Sequence, residues 1–130
     1  MLREPVSVRS ADPPPEILLV DDDATFCDTL RMLLDGEGFT VVTERTLVGA
    51  TNYLSSAQPD LLITDIRLDD GNGWNVAKYA NQQYPMLPIV VVTGFCASRD
   101  DAEAEYARVP VFLKPFDPED LLAYIRVRHL

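Results

Sequence analysis

The feature that most constrains this chain is a regular alternation of short apolar runs with longer stretches of helical spacing. Ile17-Leu18-Leu19-Val20 is a continuous apolar run, the pattern of a strand covered on both faces. Phe26, Leu30, Leu33 and Leu34 then fall on one face of a helix, and Gly36 and Gly38 stop it. Residues 39–43 read as a second strand, and Leu47, Ala50 and Leu54 as a second helical face. Pro59 punctuates before Leu61-Leu62-Ile63, which leads a third strand into Thr64 and Asp65. A loop of turn formers (Asp69, Asp70, Gly71, Asn72, Gly73) precedes a helix over about residues 74–84. Pro88 opens the most β-branched run, Ile89-Val90-Val91-Val92-Thr93. A weakly apolar helix over about residues 99–108, with Ala102 and Tyr106, leads to Val111-Phe112-Leu113. Asp117-Pro118-Glu119-Asp120 then starts the last helix: an acid to cap it, proline in first position, more acids in the first turn.

Five strands alternating with helices predict an α/β fold, a parallel sheet with helices on both faces. Right-handed crossovers leave few topologies, and a doubly wound (βα)5 sheet leads among them. A chain of 130 residues fits one domain with one real core. Residues 1–15, with Pro13-Pro14-Pro15, read as a disordered proline-containing tail, and residues 16–130 as the domain.

Charge narrows the functions. Acids number 21 against 11 Lys plus Arg, a formal net charge of −10. A phosphate-neutralising surface for nucleic acid is excluded on that balance, and an anionic membrane is an equally poor partner. Cys27 and Cys96 make neither a disulfide framework nor a zinc spacing, and His129 reads as a solvated terminal residue. No apolar run reaches the length of a membrane span, and nothing apolar follows Arg3 and Glu4 as a signal peptide requires. A cytoplasmic, reduced protein is the expectation.

Doubly wound sheets bind ligands outside the carboxyl ends of their strands. Asp21, Asp22 and Asp23 follow the first strand, Asp65 ends the third, Thr93 ends the fourth and Lys114 follows the fifth. With the strands in the order 2-1-3-4-5, the first and third are neighbours, and Asp21 and Asp22 come close to Asp65. Clustered carboxylates raise one another's pKa unless a cation is bound, and hard oxygen ligands with room for water suit Mg²⁺. A carboxylate, a divalent cation, a lysine and a hydroxyl suit phosphoryl transfer onto Asp65, with Lys114 neutralising phosphoryl oxygens and Thr93 donating a hydrogen bond. Each residue alone has a plainer reading. Asp22 or Asp23 would cap the next helix, Thr93 would merely end a strand, and Lys114 would point to solvent. Their joint order makes coincidence improbable.

Val20-Asp21-Asp22-Asp23, Thr64-Asp65-Ile66-Arg67-Leu68, Val92-Thr93-Gly94 and Leu113-Lys114-Pro115-Phe116 together resemble the response-regulator receiver domain of two-component signalling, of the chemotaxis-receiver type. The resemblance covers about residues 16–130. It implies a flavodoxin-like three-layer sandwich with strand order 2-1-3-4-5. It implies that Asp65 accepts a phosphoryl group from a sensor histidine kinase or a histidine phosphotransfer protein. Asp21 and Asp22 match the acidic pair that holds Mg²⁺, Asp22 directly and Asp21 through water, and the Arg67 carbonyl matches the remaining protein ligand. Thr93 matches the switch hydroxyl. Lys114 matches the lysine that pairs with the acceptor, its bond to Pro115 being cis in the family. The module signals by protein contact, as a monomer or weak dimer, and is not an enzyme. With nothing beyond the last helix, the chain reads as a stand-alone receiver or a piece of a larger regulator or hybrid kinase.

Three positions depart from the pattern. Val111 stands where many receivers carry Tyr or Phe, and period 2 turns the adjacent Phe112 to the other side of the sheet. Coupling of the switch hydroxyl to an aromatic ring therefore does not carry over. Any activation signal is expected to leave through Thr93 and the loop after it. Asp69 replaces a common proline in a loop that also carries Gly71 and Gly73, which predicts higher loop flexibility. Two rivals remain. Asp21-x-Asp23-x-Thr25 fits a haloacid-dehalogenase-like phosphatase with Asp21 as nucleophile, though the later acidic pair such an enzyme needs is absent. A pseudo-receiver, an interaction module that is never phosphorylated, sits badly with the intact Asp21, Asp22, Asp65, Thr93 and Lys114. The third departure is Phe95, bulky and apolar two residues after Thr93, where it is expected to obstruct water attacking phospho-Asp65. Phe95→Ala should speed decay of the phosphorylated form, and an unchanged or slower decay rejects that role.

Overall fold

The computed structural model describes residues 13–94 and 109–128. Residues 1–12 of the expected tail, Phe95, Cys96, the helix expected over 99–108 and His129 lie outside the described residues. In chain order the elements are β1 (Glu16–Val20), α1 (Ala24–Gly36), β2 (Thr40–Glu44), α2 (Leu47–Ser56), β3 (Leu61–Thr64), β4 (Arg67–Leu68), β5 (Gly71–Asn72), α3 (Gly73–Gln83), β6 (Ile89–Thr93), β7 (Val111–Leu113) and α4 (Pro118–Val127). The main sheet is parallel, in the order β2-β1-β3-β6-β7. Counting its five strands alone, this is the 2-1-3-4-5 order the sequence predicts. The second strand runs one residue later than expected, over Thr40–Glu44.

Period 2 divides the strand residues between two apolar layers. Leu18, Val20, Leu62 and Val91 face one layer, with Ala50 and Leu54 of α2 and Val76, Ala77 and Ala80 of α3. Ile17, Leu19, Ile63 and Val90 face the other, with Leu30 and Leu34 of α1 and Leu121, Leu122 and Ile125 of α4. Ile17, Leu54, Leu62 and Ile125 are fully buried, and each such side chain contributes about 1.5–3 kcal/mol. Covering on both faces explains why β1, β3 and β6 carry continuous apolar runs, Ile17 to Val20, Leu61 to Ile63 and Ile89 to Val92, rather than alternating.

Helix starts follow the sequence signals. Asp23 caps α1 by accepting from the Phe26 N–H at 3.1 Å, so of the two candidate capping acids Asp23 takes the role. Thr46 caps α2 through the Gly49 N–H, Asn72 caps α3 through the Trp74 N–H, and Asp117 caps α4 through the Glu119 N–H. The helix expected over 74–84 begins one residue earlier, at Gly73.

The loop after β3 is tied down rather than loose, against the flexibility its composition predicts. Its residues close the antiparallel ribbon β4–β5, pairing Arg67 with Asn72 and Leu68 with Gly71. Leu68 is buried beneath it. The Asp70 carboxylate accepts from the Leu47 and Val48 N–H groups at 2.6 and 3.1 Å, fastening the ribbon to the first turn of α2. These two backbone bonds hold the Asp70 carboxyl below its usual range. Glycines serve close approach here: a Cβ on Gly71 would lie 2.6 Å from Leu47 Cδ2.

Candidate phosphoryl-transfer site

Ladder bonds align the carboxyl ends of β1, β2 and β3. The Asp65 N–H donates to the Val20 carbonyl at 2.8 Å, and the Asp21 N–H donates to the Glu44 carbonyl at 3.1 Å. Adjacent parallel strands thus deliver Asp21, Asp22 and Asp65 to one rim. Oxygen atoms of these three carboxylates lie within 4.8 Å of one another. Asp21 is fully buried, Asp65 buried and Asp22 half-buried.

Lys114 reaches the cluster from the end of β7, where its N–H donates to the Thr93 carbonyl at 2.8 Å. The Lys114–Pro115 peptide bond is cis. Lys114 Nζ lies 2.7 Å from Asp21 Oδ2 and 3.4 Å from Asp65 Oδ2, and it sits 4.0 Å above the Phe26 ring. The other oxygens are occupied by backbone. Asp21 Oδ1 accepts from the Asp23 N–H at 2.9 Å, and Asp65 Oδ1 accepts from the Ile66 and Arg67 N–H groups at 2.7 and 3.3 Å.

Burial raises the Asp21 pKa more than its bonds to Lys114 and the Asp23 N–H lower it, and the Asp65 charge adds to the rise. Burial also raises Asp22, reinforced by the hydrogen bond and charge of Asp69 and by the charge of Asp65. Lys114 shows the opposite balance. Burial alone would lower it, but the bonds and charges of Asp21 and Asp65 outweigh burial and hold the ammonium above its ordinary range. Cys27 lies beneath the site, its thiol donating to the Asp21 carbonyl at 3.3 Å, and burial with the Asp21 charge pushes it up to about 11.

A cavity of about 620 Å³ opens over these groups, and Arg67, Asp69 and Gly94 complete its rim. The structure therefore gathers Asp21, Asp22, Asp65, Arg67 and Lys114, all of them expected from the sequence. Thr93 is fully buried at the end of β6, beside Leu113 of β7, and the neighbouring Gly94 borders the cavity. Val111 is buried in the layer of α2 and α3, while Phe112 packs on Phe116 and Tyr124 in the other, as period 2 predicts. Asp69 lines the cavity and Cys27 bonds the Asp21 carbonyl, neighbours that the strand-end pattern alone does not pick out. For Asp69 the only signal was its departure from a proline-bearing pattern. Three carboxylates with water-accessible space between them suit a hard, oxygen-seeking divalent cation and suit no soft metal.

The family model for the response regulator receiver domain matches residues 17–126. The chain belongs to the response regulator receiver domain family. As a receiver domain of two-component systems it is a phosphorelay signalling module, of a family that is generally non-enzymatic. Among curated relatives, the alginate biosynthesis transcriptional regulatory protein AlgB of Pseudomonas putida is 34% identical over 106 residues, 81% of this chain and 24% of that protein. The DNA-binding transcriptional regulator NtrC of Escherichia coli K12 is 31% identical over 111 residues, 84% of this chain and 24% of that protein. The chain spans about a quarter of the length of these relatives. Among solved structures, a CheY-like receiver domain from Methanospirillum hungatei superposes with a TM-score of 0.81 at 27% identity, covering 88% of this chain and 93% of that one. A response regulator receiver protein from Sinorhizobium medicae gives 0.79 at 30% identity, covering 87% and 92%. No described helix is long and apolar enough to cross a membrane.

Gly73 fixes the backbone on which the acceptor candidate sits. A Cβ there would fall 1.6 Å from the Asp65 carbonyl oxygen, which also accepts from the Thr64 hydroxyl. Gly73→Ala should therefore cost about 1–3 kcal/mol in urea unfolding, the usual range for forced overpacking. Wild-type stability would show that the Asp65 backbone yields freely.

Proposed function

We propose that Asp65 is the phosphoryl acceptor of this receiver, taking the group from a phosphohistidine of a sensor kinase or phosphotransfer protein in a Mg²⁺-dependent reaction. The observation that carries this reading is the division of labour between the two Asp65 oxygens. Backbone N–H groups bind Oδ1 and fix the carboxylate, while Oδ2 meets the Lys114 ammonium at 3.4 Å. A carboxylate oxygen attacks phosphorus, the new P–O bond replaces the P–N bond, and the imidazole leaves with the electron pair. Asp21, Asp22, Asp65 and the Arg67 carbonyl would hold the Mg²⁺, with Asp21 reached through water. When bound, the cation neutralises phosphoryl oxygens as charge is redistributed. Lys114 binds a phosphoryl oxygen from the other side, and the Thr93 hydroxyl moves to donate to another. A response regulator from Thermotoga maritima, TrrA, has been solved in complex with Mg²⁺–BeF, and this chain is 25% identical to it with a TM-score of 0.78.

Residues 16–130 form the receiver and 1–15 a tail in this reading, acting in the cytoplasm through protein contacts as a monomer or weak dimer, without nucleic acid or membrane as direct partner. The rival with Asp21 as nucleophile is disfavoured by burial, since the Asp21 side chain is fully buried and held by Lys114 at 2.7 Å, while that of Asp65 keeps 10% of its surface exposed and meets Lys114 at 3.4 Å.

A small acyl phosphate with Mg²⁺ should label wild type at Asp65, and Asp65→Asn or chelation should abolish the label. Label found on Asp21, or incorporation that survives chelation, contradicts the proposal.

A further inference from the structure

Among the described residues, Lys114 alone lines both of two cavities. One is the cavity of the carboxylates. The other, of about 830 Å³, is apolar and lies between α1 and the start of α4, walled by Phe26, Leu30, Leu33 and Phe116. The Lys114 ammonium stands at the boundary, and the face of the Phe26 ring lies beneath it, 4.0 Å from Nζ to the ring centroid. A ring face attracts a cation within about 6 Å. Phe26 is held in that place from two directions. Its N–H donates to the Asp23 carboxylate at 3.1 Å, which fixes the backbone in the first turn of α1. The Phe116 ring meets it edge to face, centroids 6.1 Å apart, and Phe112 packs on Phe116 in turn. Filling the layer does not require an aromatic side chain here, since Leu30, Leu33 and Leu34 serve the rest of the same helix face. A leucine would pack as they do and offer an ammonium nothing.

We propose that Phe26 is a positioning residue for phosphoryl transfer, its ring face holding the Lys114 ammonium in place while the ammonium exchanges a carboxylate oxygen for a phosphoryl oxygen. The inference rests on the reading of Asp65 as acceptor and Lys114 as the group that binds the phosphoryl oxygen. In the structure Nζ is held by Asp21 Oδ2 at 2.7 Å and Asp65 Oδ2 at 3.4 Å. Once Asp65 carries the phosphoryl group, the negative charge lies further out, on the oxygens of phosphorus, and the ammonium has to follow it. Lysine is a point charge on a flexible four-carbon stem, so ordering it costs entropy at each new position. The ring lowers that cost because its attraction is spread over a face and engages no particular N–H. The ammonium can therefore turn its donors toward a new acceptor without leaving the ring. Phe26 itself touches neither the acceptor nor the phosphoryl group and acts through Lys114 alone.

The test replaces Phe26 with phenylalanines carrying one, two and three ring fluorines, which drain the ring face of negative charge while nearly keeping its size. The initial rate of Asp65 labelling by acetyl phosphate at saturating Mg²⁺ is then measured for each, beside wild type and Phe26→Leu. The rate should fall stepwise with fluorination, on the order of fivefold by the third fluorine, and Phe26→Leu should lose at least as much. In Lys114→Met the remaining rate should be indifferent to fluorination. The ε-methylene protons of Lys114 should resonate upfield of an unstructured lysine in wild type and lose that ring-current shift in Phe26→Leu. A rate unchanged across the fluorinated series overturns the inference, because a ring that only packs is nearly unaffected by fluorine. So does an equal fall in Lys114→Met, or an unshifted Lys114 in wild type. In those cases wild type still labels at Asp65, and only the role of Phe26 fails. If wild type takes no label on Asp65, the reading of the acceptor fails and the role of Phe26 with it.

Discussion

Like charges crowded at the ends of two adjacent parallel strands are the constraint on which this site depends. Asp21 and Asp65 follow strands that share a ladder, so neither can retreat without breaking main-chain hydrogen bonds. Their repulsion in a poorly solvated setting is large enough to require a counter-charge. Lys114 supplies it from β7, across the width of the sheet, at 2.7 Å from Asp21 and 3.4 Å from Asp65. Phe26 supports the ammonium from below, and Cys27 fastens the Asp21 carbonyl. The two apolar layers set the sheet geometry, and the sheet geometry sets the charges.

The hydrogen bonds of the site are already divided between backbone and side chains. Backbone N–H groups take one oxygen of each buried aspartate, leaving the other for a cation or ammonium. Sheet and ribbon together account for the arrangement. The ribbon β4–β5 holds Arg67 and Asp69 over the cavity, and Gly73 lets α3 begin against the Asp65 carbonyl. Downstream of the chemistry, Val111 fills the layer of α2 and α3 and Phe112 the opposite one. An aromatic ring that turns between them in response to Thr93 has no counterpart at Val111.

Most of the fold was legible because its signal is local. Doubly covered strands are continuously apolar, helices repeat every three or four residues, and Asp117-Pro118 marks a helix start whatever lies around it. The site was legible for a related reason: in a parallel sheet, residues after the strands share one rim, so Asp21, Asp22, Asp65 and Lys114 could be grouped from order alone. What escaped depends on contacts distant in sequence. Two acids and two glycines after Asp65 resemble a loose loop until Asp70 is seen to bond Leu47 and Val48, 23 and 22 residues away. Cys27 lay beside Phe26 in a helix whose buried face was read from the larger residues, yet Cys27 is the more deeply buried of the two.

Lys114 and the proposed divalent cation would both offset the crowding of Asp21, Asp22 and Asp65. Thermal unfolding of wild type and Lys114→Met, each with chelator and with saturating Mg²⁺, tests it most directly. The variant should show a lower midpoint in chelator and a larger rise on adding Mg²⁺ than wild type, since ligand binding to the folded state adds stability. Equal midpoints in chelator, with no response of either protein to Mg²⁺, would contradict it.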